Sequence, residues 1–173
     1  FIWTFVVGVV LGAAVMAWGY ISFKGNAVLE SKEFYVSRNT TYGELIDSLK
    51  PSIKHHFAFD IYAERLALKE NYKVGHYVVK DGMNVIEIVR MFKLGLQTPV
   101  KVTMNNVKIP AQLAGKLSKQ FEADSAEFVQ VLTDKALAKK LGFDNPLTMF
   151  SIFIPNTYEF YWTATPEEFV DRM

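Results

Sequence analysis

The chain opens on an unbroken apolar run and then changes character. From Phe1 to Phe23 no side chain is charged. A helix rising about 1.5 Å per residue over that run spans the roughly 30 Å of hydrocarbon in a bilayer. Trp3, Trp18 and Tyr20 lie towards its ends, where amphipathic rings favour the headgroup region. A cleaved signal peptide has a shorter apolar centre and a small-x-small site, which Tyr20-Ile21-Ser22-Phe23 does not offer. The run therefore predicts a retained transmembrane helix over 1–23. Lys24 alone does not orient it, and the Gly8-x-x-x-Gly12 spacing fits helix dimerisation as well as the ordinary small-residue content of such helices.

Beyond the run, 24–32 is polar and mixed in charge and reads as a juxtamembrane tether. Glu33–Ser37 is rich in rings and β-branching and predicts a strand. Thr41 with Glu44 forms a capping box opening a helix that carries Leu45, Ile46 and Leu49 and stops before Pro51. A second helix is expected from about Phe57 to Asn71, then a strand over Tyr72–Lys80 closed by the turn Asp81-Gly82. The order strand, helix, helix, strand over 33–82 resembles the LysM fold, a small module that recognises N-acetylglucosamine polymers. Order alone does not assign function.

The connecting region, 83–108, is expected to hold a helix capped by Asn84 and Glu87, carrying Val85, Ile88, Val89 and Phe92 and ended by Gly95. A strand follows in which Val100, Val102 and Met104 alternate with Lys101 and Thr103, with Asn105-Asn106 ending it. From 109 onward, Pro110 opens a helix with the stripe Leu113, Leu117 and Phe121. Asp124 and Glu127 bracket another, with Phe128, Val131 and Leu132 on its dry side, and Lys135–Leu141 makes one more. Asp144-Asn145-Pro146 breaks the pattern ahead of the apolar approach Leu147–Phe153. Thr165, Pro166 and Glu168 form a complete helix start. The fold class is α+β: a transmembrane helix, a LysM-like βααβ unit and the beginning of a mixed α/β catalytic domain, with 109–173 expected to be an incomplete part of it.

Composition narrows the chemistry. The 173 residues are 50% hydrophobic with a formal charge of +1, which argues against a nucleic-acid partner because phosphate recognition draws on a concentrated basic excess. The absence of cysteine excludes disulfides, thiolate zinc sites and thiol nucleophiles. His56, Asp60 and Glu64 fall at four-residue steps, a spacing that suits a metal but equally a solvated helix face, and no metal is expected. His76 reads as a surface or interface residue. No phosphate loop or nucleophile elbow is present, and no cofactor is expected.

What remains is Phe153-Ile154-Pro155-Asn156-Thr157-Tyr158-Glu159-Phe160-Tyr161-Trp162. A buried strand would favour Val and Ile and exclude Pro. This segment instead interleaves rings with an amide, a hydroxyl and a carboxylate, the composition of a wall that packs on one side and meets a sugar-like ligand on the other. Glycosidic cleavage needs an acid to protonate the leaving oxygen. Glu159 is the acid set among rings, and composition leaves it two roles, general acid or groove-lining residue.

The apolar helix, the LysM-like order, Gln97-Thr98-Pro99-Val100 before a strand, and Phe153-x-Pro155-Asn156-Thr157-Tyr158 together resemble the YceG-like, or MltG, family of endolytic murein transglycosylases. The resemblance runs over essentially the whole chain. It implies a single-pass protein of the bacterial cytoplasmic membrane with its folded part on the periplasmic or outer side. It also implies cleavage of nascent glycan strands between N-acetylmuramic acid and N-acetylglucosamine that leaves 1,6-anhydromuramoyl ends. One glutamate acts as acid on the glycosidic oxygen and then as base on the sugar's own 6-hydroxyl. The implied partners are peptidoglycan glycan strands, the membrane and cell-wall synthases.

Two departures qualify the match. Many relatives carry Glu-Gly where this chain has Phe150 and Ser151, and the catalytic glutamate belongs to a later Ala-Ser-[Ile/Leu]-[Ile/Val]-Glu motif that no stretch of this chain contains. No catalytic residue is therefore expected within these residues, and the fragment by itself is expected to be inactive. Asn156, Thr157, Tyr158, Glu159, Tyr161 and Trp162 become expected substrate contacts, Glu159 being the weaker candidate for the acid. The competing reading is a membrane-tethered glycan-binding or scaffold protein that cleaves nothing.

Overall fold

The computed structural model describes residues 2–104 and 109–173; the expected strand end at Asn105-Asn106 lies outside the described residues. The chain forms two compact units, residues 1–97 and 98–173.

The first unit begins with α1 (Ile2–Lys24), which contains a stretch, Val6–Lys24, long and apolar enough to cross a membrane. β1 (Lys32–Val36), α2 (Tyr42–Leu49), α3 (His56–Arg65), α4 (Leu68–Asn71), β2 (Gly75–Val79) and α5 (Val85–Leu94) follow. β1 and β2 pair antiparallel with Phe34 opposite Tyr77, with α2, α3 and α4 between them in the chain. α2 starts where its capping box predicts: the Thr41 hydroxyl accepts from the Glu44 N–H, and the Glu44 carboxylate accepts from the Thr41 N–H at 2.7 Å. A 3-10 turn over Lys50–Ser52 carries the helix past its end at Pro51.

Three expectations change in this unit. The segment 24–32 is not a loose tether. Ala27 and Val28 are fully buried, the Ala27 N–H donates to Met83 O at 2.8 Å, and Ala27 O accepts from Lys54 N–H at 2.7 Å. A bridge between Val28 and Ile53 completes the attachment. Of the three apolar residues between Asn26 and Glu30, Ala27 and Val28 take the backbone into the core, where it has to find partners. The helix expected over 57–71 is broken: α3 ends at Arg65, Ala67 adopts φ 48°, ψ 49°, and α4 restarts at Leu68. No Gly or Pro announces this break. The turn sends Leu68 fully into the core, and burying a leucine (about 1.5–3 kcal/mol) outweighs the 1–2 kcal/mol, roughly, of a left-handed alanine.

The third change is α5. Expected as a connector, it is core: Val85, Ile88, Val89 and Phe92 are fully buried, Phe92 meets Phe34 edge-on at 6.2 Å and Tyr77 at 4.7 Å between ring centroids. The Tyr77 hydroxyl donates to Lys73 O at 2.9 Å, and burial pushes its pKa up to about 12. The first compact unit consequently runs to Gln97 and includes α5.

The second unit holds β3 (Val100–Met104), α6 (Pro110–Leu117), α7 (Ser125–Leu132), α8 (Lys135–Lys140), α9 (Pro146–Met149), β4 (Asn156–Phe160) and α10 (Pro166–Asp171). Capping boxes at Asp124/Glu127 and Thr165/Glu168 start α7 and α10 as the sequence predicts. Phe121 belongs to the core although it lies beyond the end of α6. The core is aromatic: Phe169 lies 5.8 Å from Phe121, 5.9 Å from Phe128, 5.9 Å from Phe153 and 5.1 Å from Phe160, centroid to centroid.

Phe169→Ala removes the ring shared by all four neighbours and is expected to destabilise the second unit by about 3–5 kcal/mol, read as faster amide exchange in β4 and α7. Unchanged protection there would contradict the hub. Ala67→Gly relieves the left-handed backbone and is expected to raise the unfolding free energy by up to about 1 kcal/mol, read as a higher urea midpoint; a lowered midpoint would show that Ala67 is not strained.

Candidate functional site

The aromatic segment is half strand. Pro155 sits just ahead of β4, where a missing N–H costs nothing. Asn156 to Phe160 then pair antiparallel with β3: Lys101 opposite Glu159, Val102 opposite Tyr158, Thr103 opposite Thr157. The segment that composition set apart from a buried strand is thus a strand with two distinct faces.

The dry face is fixed by Phe160, Val102 and Met104, all buried. Phe160 meets Phe169 and Phe121, and the Arg172 guanidinium lies 5.1 Å from the Phe160 ring centroid. Strand alternation then turns Thr157, Glu159, Lys101 and Thr103 to solvent, and all four are exposed. The Thr103 and Thr157 hydroxyl oxygens lie 3.1 Å apart in a hydrogen bond across the strands. Lys101 and Glu159 are directly opposite in the non-local pairing, so a cation and an anion stand beside the two hydroxyls.

Alternation separates the six residues expected as substrate contacts. Thr157 and Glu159 share the wet face, and Tyr161 is 56% exposed just past the strand. Tyr158 is half-buried against the second core, its hydroxyl donating to Ile154 O at 3.1 Å. Asn156 is exposed, its side-chain oxygen accepting from Thr157 N–H at 2.7 Å. Trp162 is half-buried, and its carbonyl accepts from Glu122 N–H at 2.9 Å, tying the strand's end to the loop before α7. Glu159 is open to water rather than enclosed by rings. Lys101 and Thr103 were visible in the sequence only as the wet side of a strand; their place beside Glu159 and Thr157 depends on a pairing across more than fifty residues, which local pattern does not carry.

Phe150 and Ser151, standing where many relatives have Glu-Gly, form part of a 3-10 turn over Phe150–Ile152. Phe150 packs edge-on against Phe153 at 5.2 Å, and Ser151 Oγ donates to Thr148 O at 2.9 Å. The position is used to hold Phe153 at the core, where it stacks on Phe169.

His56 and His76 both have local neighbours. His56 Nε2 lies 2.8 Å from Ile53 O, Asp60 pairs with Lys50 at 3.1 Å, and among the described residues no group of three His, Asp or Glu is placed to hold a metal. His76, expected at the surface or at an interface, is 5% exposed. Register sets it opposite Tyr35, whose ring stacks on it at 4.5 Å, and Glu33 Oε2 lies 3.4 Å from its Nε2. In the first unit an open groove is lined by Tyr42, Asp60, Glu64, Leu68, Lys69 and Glu70.

No curated protein matches the chain. Among solved structures, the 2.6 Å crystal structure of a yceG-like protein from Listeria monocytogenes is 17% identical, covers 83% of this chain and 53% of its own, and superposes with a TM-score of 0.40. The chain thus spans about half the length of that protein. The model of the YceG-like family matches residues 34–173, from β1 through α10 and so across both units and the whole β3–β4 face, and the chain belongs to the YceG-like family.

Proposed function

We propose that the protein to which this chain belongs is a membrane-anchored endolytic peptidoglycan transglycosylase, and that the wet face of β3–β4 is one wall of its glycan groove. The observation that carries this reading is the family match over 34–173. It is supported by the exposed polar face on the segment most similar to the family's Phe-x-Pro core and by an N-terminal helix apolar enough to anchor the protein.

The wall's chemistry suits a sugar chain. Thr103 and Thr157 offer hydroxyls that both donate and accept, as sugar hydroxyls and acetamido groups do. Lys101 supplies a donor and Glu159 an acceptor on the same face, and Tyr161 presents a ring on which a pyranose can stack. These groups stand on a strand whose reverse side is locked into the aromatic core, so binding does not have to order them first. In this reading they position the glycan. Protonation of the glycosidic oxygen is assigned to the glutamate of the family's Ala-Ser-x-x-Glu motif, which 1–173 does not contain, and the sugar's own 6-hydroxyl closes the anhydro ring. The folded part is assigned to the outer side of the cytoplasmic membrane, where nascent strands are accessible.

Full-length protein incubated with purified glycan strands is expected to release fragments with 1,6-anhydromuramoyl ends, read by mass spectrometry. Reducing ends alone would mean hydrolysis, and intact strands would favour a non-cleaving scaffold. Glu159→Gln in the full-length protein is expected to lower kcat/KM about 3- to 10-fold, mainly through KM, the scale of one lost hydrogen-bonding contact. A loss of about 100-fold or more, carried by kcat, would instead make Glu159 the general acid.

A further inference from the structure

The end of α1 does not leave the first unit free to swing. Trp18 contacts Phe57 with ring centroids 6.4 Å apart, and five residues further on in both helices Phe23 contacts Tyr62, also at 6.4 Å. Equal steps in the same sense mean that α1 and α3 run parallel over this stretch, each rising about 7.5 Å between the two contacts. The N-terminal tip of α3 therefore points back along α1 towards its apolar part, and Phe57 stands level with Trp18.

That level lies on the bilayer side of the first charge. α1 carries no charged side chain before Lys24, and beyond Trp18 its undocked side still shows Tyr20 and Ile21 to the outside. An interface placed short of Trp18 would leave these apolar groups in water. Phe57 is itself 65% exposed, and Ile61, one helical turn on along the same face, is 42% exposed. The first turn of α3 contains no acid, and Lys54 just ahead of it is exposed. The carboxylates of this helix, Asp60 and Glu64, come later, about 4.5 and 10 Å further from the apolar end at the helical rise. Apolar and cationic groups at the tip with acids behind it are what a headgroup region accepts.

We propose that the tip of α3 is a lipid-contact surface, with Phe57 inserted beside Trp18 into the headgroup region of the bilayer that α1 crosses, so that the first unit rests on the membrane instead of hanging from a tether. The proposal rests on the reading of α1 as a membrane span. It gives the buried Ala27-Val28 segment a purpose: attaching the chain within a few residues of the helix end holds the unit at a fixed height.

Spin labels on single cysteines test this directly, since residues 1–173 hold no cysteine and any cysteine elsewhere in the full-length protein is replaced by serine. Full-length protein carrying Phe57→Cys, Glu64→Cys or Val10→Cys, the last about 12 Å before Trp18 along α1, is reconstituted in vesicles of phosphatidylethanolamine and phosphatidylglycerol, and label collisions with oxygen and with a water-soluble nickel chelate are compared. The expected order places Val10 deep in lipid, Phe57 at intermediate depth and Glu64 in water. Val10 in lipid with Phe57 as water-exposed as Glu64 would overturn the proposal and leave the span intact. Val10 in water would overturn the span and the proposal with it.

Discussion

Phe169 is the contact on which the candidate site depends. Its ring touches Phe121 beyond the end of α6, Phe128 on α7, Phe153 ahead of β4 and Phe160 within it. Two stretches of chain, 121–128 and 153–160, are thereby held about one side chain. With Phe160 committed to this cluster, β4 has one orientation, since a shift of one residue would turn every side chain to the other face. The wet face of Thr157 and Glu159 is thus a consequence of the dry one. A strand face built this way is rigid because its reverse side is core.

The first unit applies the same logic to a different end. Phe34, Tyr77 and Phe92 join β1, β2 and α5, while Trp18, Phe23, Phe57 and Tyr62 join α1 to α3. The buried Ala27 and Val28 leave little slack between helix and domain. For an enzyme proposed to act on nascent strands close to the membrane, a unit held at fixed height restricts where the glycan can be met. Each unit is ordered by its own aromatic core, and the face proposed to meet glycan belongs to the second.

Local signals were legible where the physics is local. Thr41/Glu44, Asn84/Glu87, Asp124/Glu127 and Thr165/Glu168 start helices where the sequence predicts, because a cap is decided within four residues. The alternation Val100 to Met104 became β3 with the expected faces. The misses have non-local causes. Ala67 turns left-handed because Leu68 is needed in the core, and nothing in Leu66-Ala67-Leu68 announces it. The tether became structure through partners at Met83 and Lys54. His76 is buried because Tyr35 lies opposite it in register. In the aromatic segment, Pro155 suggested irregular chain, yet it only marks where β4 begins. Composition found the segment; pairing with β3 divided it, sending Tyr158 towards the core and bringing Lys101 and Thr103 to the side of Glu159.

The central claim is that the face carrying Thr157 meets glycan. The most direct measurement is the alkylation rate of single cysteines in the full-length protein, Thr157→Cys against the exposed Asp47→Cys on α2, with and without saturating purified glycan strands. The account predicts that glycan slows alkylation at 157 several-fold and leaves 47 unchanged. Equal rates at 157 with and without glycan would show that this face is not a wall of the groove.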